Sequence, residues 1–267
     1  MKTVAIVDGD IIAFRSCPPR RKKGEPVFLD DKGHQLPPKW KSAQEEEDYF
    51  QETWRNFSKS LSELAEKLYC DEMLVAIGGV RNFREDIFFE YKQHRHRDPA
   101  FANTTVPRVR QRAVDEGLAI QALGYEADDL IRIWSNECRA NEFEFVIVSM
   151  DKDLLCIPGT HYLWHKSEIL HVDELSAHKS YYSQLLSGDL TDNIPGLPGI
   201  GPKTAVKILA ECSTEREMQD LVAWMYKETY GEEWHSYLLS NGKLLHILNH
   251  PDDYFTADDW EIVKELK

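Results

Sequence analysis

The chain has 267 residues, 42% hydrophobic and 29% charged. That is enough apolar material for one large domain, or one domain with a small satellite, of an ordinary globular enzyme. No apolar run approaches the roughly 18 residues of a membrane span, and the start is too short and acidic for a signal peptide, so a cytoplasmic protein without a membrane partner is expected. The net charge of −14 argues against nucleic acid only if the basic residues are scattered, and the five cysteines lack CxxC spacing, which disfavours zinc and disulfides.

Residues 3–7, Thr-Val-Ala-Ile-Val, form an unbroken apolar, β-branched run. Such a run reads as a buried parallel strand, and it delivers Asp8 and Asp10 at its C-terminal edge, where open α/β sheets place their sites. A helix or turn begins at Ile11–Phe14. Residues 16–42 are polar and read as a surface excursion turning near Asp30–Gly33; the rival reading is a basic flap on DNA carried by Arg20–Lys23. Phe50, Trp54, Phe57, Leu61, Leu64 and Leu68 recur in steps of four and three, which predicts a core-facing helix over 43–69. Met73–Ile77 is a second buried strand.

Residues 81–97 interleave Arg81, Arg84, Lys92, Arg95 and Arg97 with Phe83, Phe88, Phe89 and Tyr91, and Arg108, Arg110 and Arg112 extend the basic character. Cations grip phosphates and aromatic rings stack on unpaired bases, so this segment is a candidate nucleic-acid surface. A helix is expected over 106–123. Another starts at Glu126-Ala-Asp-Asp129, where three carboxylates exceed what capping requires. Residues 143–148 form a third buried strand, again ending in an Asp-x-Asp pair, Asp151 and Asp153. His161–Trp164 and Glu168–His171 pair as short edge strands. Beyond Asp173 the chain reads as helical, with helices near 203–212, 214–229 and 233–248 and an acidic surface tail from Pro251.

Before those helices lies Gly188-Asp-Leu-Thr-Asp-Asn-Ile-Pro-Gly-Leu-Pro-Gly-Ile-Gly-Pro-Lys-Thr204. Asp189 and Asp192 stand three apart, so one turn aims both at one point. Gly199 and Gly201 allow close backbone approach, and Pro202-Lys-Thr204 opens a helix whose free N–H groups suit phosphate. Carboxylates gathered at strand ends repel one another unless cations join them, and hard oxygen ligands select Mg²⁺ or Mn²⁺. Two such ions roughly 3.5–4 Å apart activate water and stabilise a leaving phosphate oxygen, so the expected reaction class is phosphodiester hydrolysis.

Together, Ile6–Asp10, Asn82–Arg84 with Glu90–Lys92 and Arg95, Glu126–Asp129, Ser149–Asp153 and Gly188–Thr204 resemble the structure-specific 5′ nucleases. These include flap endonucleases, 5′-nuclease domains of bacterial DNA polymerases and phage 5′–3′ exonucleases, the last being the nearest likeness. The resemblance implies an α/β fold: a central mixed, mainly parallel sheet flanked by helices over 1–175, with a basic helical arch at about 81–112. It further implies a helical DNA-binding region over 176–267 with a helix–three-turn–helix motif at about 185–212. One divalent ion would be held by Asp8, Glu126 and Asp128, and a second by Asp129, Asp151, Asp153, Asp189 and Asp192. Lys92 would face the scissile phosphate, with Asp8 and Asp151 central to catalysis. Arg84, Tyr91 and Arg95 would be further nucleic-acid contacts. Gly199, Gly201, Lys203 and Thr204 would grip duplex, with a potassium ion on the turn carbonyls.

The implied substrate is DNA with a 5′ end, flap, nick or recess, with RNA in RNA–DNA hybrids a further candidate and replication proteins candidate partners. The phage likeness would put the protein in an infected bacterial cytoplasm. One departure stands out: Gly78 occupies the end of the second strand, where many such nucleases carry Asp. Either the first ion is held more loosely or Asp10 compensates. Two rival functions remain: a DNA-binding member with a decayed site, and a haloacid dehalogenase-type phosphatase with Asp8 as nucleophile and Asp10 as acid. The second explains neither the glycine hairpin nor the basic segment.

Overall fold

A computed structural model describes residues 2–19, 40–92 and 105–266. The basic run Arg20–Lys23, the turn near Asp30–Gly33 and Arg95 lie outside the described residues. The elements in chain order are β1 (Thr3–Asp8), α1 (Gly9–Arg15), α2 (Ala43–Leu68), β2 (Glu72–Ile77), α3 (Arg84–Ile87) and α4 (Thr105–Asp115). They continue with β3 (Ile120–Gln121), α5 (Ala127–Ala140), β4 (Glu144–Ser149), β5 (Gly159–Leu163), β6 (Glu168–Val172) and α6 (Glu174–Ser187). The last are β7 (Gly188–Asp189), β8 (Ile194–Pro195), α7 (Pro202–Ile208), α8 (Glu215–Tyr230), α9 (Trp234–Leu245) and α10 (Glu261–Leu266).

The described residues fold as two units, one within Met1–Val80 and Gln93–Val148, the other within Arg81–Lys92 and Ser149–Lys267. The second unit is therefore discontinuous in sequence, and segment 149–175, which the sequence groups with the α/β core, packs with the C-terminal residues.

In the first unit β1 pairs in parallel with both β2 and β4, and β3 extends β2 in parallel. Ala5, Ile6 and Val7 are fully buried, as expected of a central strand lined on both faces. Parallel pairing brings the ends of β1 and β2 to one edge, so Asp8 and Gly78 are neighbours there. The α2 stripe is core: Phe50, Trp54, Phe57, Leu61 and Leu64 are buried. At about 1.5–3 kcal/mol per buried side chain these five supply on the order of 10 kcal/mol. Ser42 caps the helix by accepting from Glu45 N–H at 3.1 Å, and Tyr69 ends it in the left-handed conformation.

The helix expected over 106–123 stops at Asp115. Gly117 turns left-handed at φ 70°, and Leu118 N–H closes onto the Ala113 carbonyl at 2.8 Å, freeing Ile120–Gln121 to join the sheet as β3.

In the second unit β5 and β6 form the expected antiparallel pair, so strand content is mixed and mainly parallel. Tyr182, Leu185 and Leu186 of α6 pack with Met218, Val222, Ala223 and Tyr226 of α8 and Leu238 of α9. The tail is not merely surface. Phe255, Ala257, Trp260 and Val263 are buried in this core, because their spacing gives the acidic segment one apolar face. Among the described residues no helix is long and apolar enough to cross a membrane.

Candidate metal and nucleic-acid site

In the first unit, Asp8 ends β1 and caps α1, accepting from Ile11 N–H at 3.1 Å. Two residues on, the Asp10 carboxylate accepts from Gly78 N–H at 3.2 Å and meets Arg110 Nε at 3.0 Å. The chain after β2 is fixed to the turn before α5, with Gly79 N–H donating to the Tyr125 carbonyl at 3.2 Å. This brings the α5 start, with half-buried Glu126 and Asp128, beside Gly78. Asp129 differs from its neighbours. It is fully buried, and its Oδ2 accepts from Glu126 N–H at 2.9 Å. Glu126 and Asp129 form a reciprocal capping box at the start of α5, the Glu126 side chain accepting from the Asp129 N–H, so two of the three acids also cap their helix, as Asp8 caps α1.

The three arginines that extended the basic segment are also engaged. Arg108 bonds Glu47 at 2.6 Å and lies over the Phe50 ring at 4.0 Å. Arg112 bonds Glu116 at 2.7 Å and lies over Trp54 at 4.4 Å. With Arg110 on Asp10, these cations bind α4 to its own unit instead of forming a continuous basic face.

In the second unit the 149–153 turn is built by Ser149 Oγ accepting from Asp151 N–H at 3.0 Å and Asp151 Oδ1 accepting from Asp153 N–H at 2.9 Å. Burial, the Asp151 charge and the Asp189 charge together push the Asp153 carboxyl up to about 7, and Asp189 also hydrogen-bonds it. Three carboxylates therefore sit close enough to compete for charge. Carboxylate oxygens are the donor type that a hard divalent cation prefers. Asp189 Oδ1 accepts from Thr191 N–H at 2.6 Å and Asp192 N–H at 3.3 Å, a turn that aims both acids along one loop. Among the described residues no group of three or more His, Cys, Asp or Glu side chains is gathered so that it could hold a metal ion.

Lys92 stands on that loop. Its Nζ lies 3.2 Å from Asp192 Oδ2, and its N–H donates to the Asp192 carbonyl at 3.0 Å. Tyr91 O–H reaches Asp192 Oδ2 at 3.3 Å, and Asn193 Nδ2 donates to the Glu90 carbonyl at 3.1 Å. Lys92 and Asn193 both hold left-handed backbones, at φ 54° and 60°, an uncommon state that concentrates at functional loops. Tyr91 is buried in the unit's core, which removes it from base stacking.

Arg84 is the clearest correction. Its side chain is 2% exposed, and its guanidinium donates to the Leu244 carbonyl at 3.0 Å and the His246 carbonyl at 2.5 Å. A cation committed to backbone carbonyls inside the unit is a structural clasp, not a phosphate contact. The clasp had no local signal in the sequence, because its partners lie 160 residues away.

Gly188 to Thr204 forms the turn-rich segment expected. Gly188 has φ 66°, and a Cβ there would lie 2.3 Å from the Ile194 carbonyl, so only glycine closes β7 on β8. Gly199 is left-handed at φ 77°, and Gly199, Gly201, Lys203 and Thr204 are exposed. A cleft of about 1120 Å³ runs from Asp153 and Asp189 to Gly199, Gly201 and Pro202, floored by serines of α6.

Residues 34–182 match the family described as "5′-3′ exonuclease, N-terminal resolvase-like domain". The chain belongs to this family. The match holds Lys92, Glu126, Asp128, Asp151 and Asp153; Asp8 and the Gly188–Thr204 segment lie outside it. Among its relatives in the 5′–3′ exonuclease family, DNA polymerase I of Rhizobium leguminosarum is 33% identical over 141 residues, 49% of this chain and 14% of the polymerase. The 5′–3′ exonuclease of Aquifex aeolicus is 32% identical over 136 residues, 47% of each chain. This chain thus spans less than half the length of either relative. The fold is shared with a bacteriophage T5 flap endonuclease solved as a pseudo-enzyme–product complex with DNA and metal ions, at TM-score 0.64 and 16% identity over 99% of this chain and 96% of that one.

Proposed function

We propose that this chain is a divalent-metal-dependent 5′–3′ exonuclease and structure-specific flap endonuclease that hydrolyses phosphodiester bonds near the 5′ end of DNA. The observation that carries the reading is the cleft of the second unit, where Asp153 and Asp189 share a wall with the exposed Gly199–Gly201 hairpin. Acids raised by burial and then by one another's charge, as Asp153 is, suit Mg²⁺ or Mn²⁺, and the exposed backbone beside Lys203 suits a phosphodiester backbone.

Asp8, Glu126 and Asp128 would hold an ion in the first unit; Asp151, Asp153, Asp189 and Asp192 would hold one in the second. Bound ions supply Lewis-acid activation of water and neutralise charge on the phosphate. Lys92, fixed by Asp192, would release to the substrate phosphate and stabilise its developing charge. The hairpin would fix the duplex, with a potassium ion on its turn carbonyls part of the same proposal.

The test is a product ladder from 5′-labelled flap, nicked, recessed and RNA–DNA hybrid substrates with Mg²⁺. Short 5′ products are expected, and Asp151→Asn should abolish them while retaining duplex binding. Failure of every substrate to release 5′ products would remove the enzyme reading and leave a DNA-binding module.

A further inference from the structure

We propose that the open edge of β6 is a self-association surface, on which a second copy of this chain adds its own β6 as an antiparallel neighbour. In the second unit β5 pairs with one side of β6, and among the described residues no strand pairs with the other. Four of the five β6 residues, Glu168 to His171, are exposed, with Ile169 69% and Leu170 40% open to solvent. Leu170, His171 and Val172 also line the cleft, so the unit's own helices leave these residues open. An edge strand carries a row of backbone donors and acceptors that another strand can meet, and folded proteins commonly guard such edges with lysine, proline or a bulge. β6 contains neither lysine nor proline, and its residues pair one to one with β5, without a bulge.

Charge selects the second copy as the occupant. His165 and Lys166 precede β6, Asp173 and Glu174 follow it, and all four are exposed. The strand therefore has a basic start and an acidic end. Antiparallel pairing of two copies sets each basic start beside the other's acidic end, whereas a parallel neighbour would oppose like charges. Residues opposite one another in an antiparallel pair share a face, so a two-fold axis matches residues of equal parity. Centred on Leu170, that axis puts Leu170 against Leu170 and Ile169 against His171, and Lys166 of each copy comes beside Glu174 of the other. The apolar pair then lies at the centre and the opposite charges at the rim, the usual layout of an interface. Opposite charges across the strands favour this register, and like charges in their place oppose it.

The test is sedimentation velocity of the full chain without DNA or metal, over about 1–300 µM, because a contact this short belongs with the weak, transient interfaces. Wild type should pass from monomer to dimer across that range. Leu170→Lys, which sets two lysines across the axis, should remain a monomer with melting unchanged. Lys166→Glu and Glu174→Lys should each weaken self-association at least about tenfold, and an equimolar mixture of the two should dimerise again, because each copy then meets opposite charge at both rims. Thermal melting checks that every variant is folded. Wild type that is monomeric throughout overturns the inference. So does a Leu170→Lys chain that melts normally and still dimerises, or a mixture of the two folded charge variants that forms no dimer. Hydrolysis is not read, so none of these outcomes bears on the nuclease reading.

Discussion

Replacing Asp153 by Asn should make the metal-free protein more stable. In the folded chain burial, then Asp151, then Asp189, raise this carboxyl from 3.8 to about 7. A folded-state value above the unfolded one means the fold prefers the protonated acid. The penalty is absent below the unfolded value, grows as pH rises, and is complete above about pH 7. At about 1.36 kcal/mol per pH unit, the gap between 3.8 and about 7 sets a ceiling of ~4 kcal/mol. Asn carries no charge and can still donate toward Asp189, so relaxation of the acids should leave a gain of about 1–3 kcal/mol at pH 8.

For a chain of this size that is roughly 3–10 °C in Tm. Scanning calorimetry in EDTA should show the gain at pH 8 and less than half of it at pH 5. Saturating Mn²⁺ should reverse the order, because the wild type regains through ion binding what its acids lose by repulsion. An Asn variant that melts at or below wild type in EDTA at pH 8 would refute the claim that these carboxylates are held in mutual conflict.

Other perturbations separate structural from chemical roles. Lys92→Ala should lower kcat about 10²–10³-fold with duplex affinity changed less than about threefold; equal losses would make Lys92 a plain phosphate anchor. Arg84→Ala should cost about 3 kcal/mol in urea unfolding by stranding the Leu244 and His246 carbonyls, whereas a phosphate contact would leave unfolding unchanged and raise KM. Burial opposes ionisation of Asp253, but bonds from Asn249 and His246 outweigh it and bring the group down to about 2. Its contribution is present above the ordinary 3.8 and lost as pH falls through about 2, so Asp253→Asn should cost about 1 kcal/mol at pH 6 after solvent screening, and only a small fraction of that by pH 2. Gly188→Ala should destabilise by about 3 kcal/mol or more, through both its left-handed backbone and its contact with the Ile194 carbonyl.

The sheet of the first unit was legible because its information is local. The runs at 3–7, 73–77 and 143–148 are apolar over their whole length, and α2 carries its stripe in plain steps of four and three. The turn glycines of 188–204 were legible for the same reason, since their types answer to backbone conformation. What escaped depends on partners distant in sequence. Arg84 reads as one cation among many until Leu244 and His246 close on it. Arg108 and Arg110 looked like part of a basic face because nothing nearby names Glu47 or Asp10 as their partners, whereas the partner of Arg112, Glu116, stood four residues on. Asp129 was hidden by company: beside Glu126 and Asp128, nothing local marks which of the three acids is fully buried. The tail did carry a signal, in the spacing of Phe255, Trp260 and Val263, masked by the surrounding acids.

The discontinuity of the second unit bears on how the chain is made and how it can be dissected. Arg81–Lys92 is synthesised early, yet its partners are among the last third to appear: Asp192, Leu244 and His246. During synthesis a buried arginine and the apolar Ile87, Phe88 and Tyr91 must wait, solvated, while more than a hundred further residues emerge. No single cut releases both units intact, because a fragment beginning at Ser149 would lack the clasp on its own α9 end. A chaperone that shields residues 81–92 on the nascent chain, or a short peptide of that sequence supplied to the truncated fragment, therefore addresses the same unmet need.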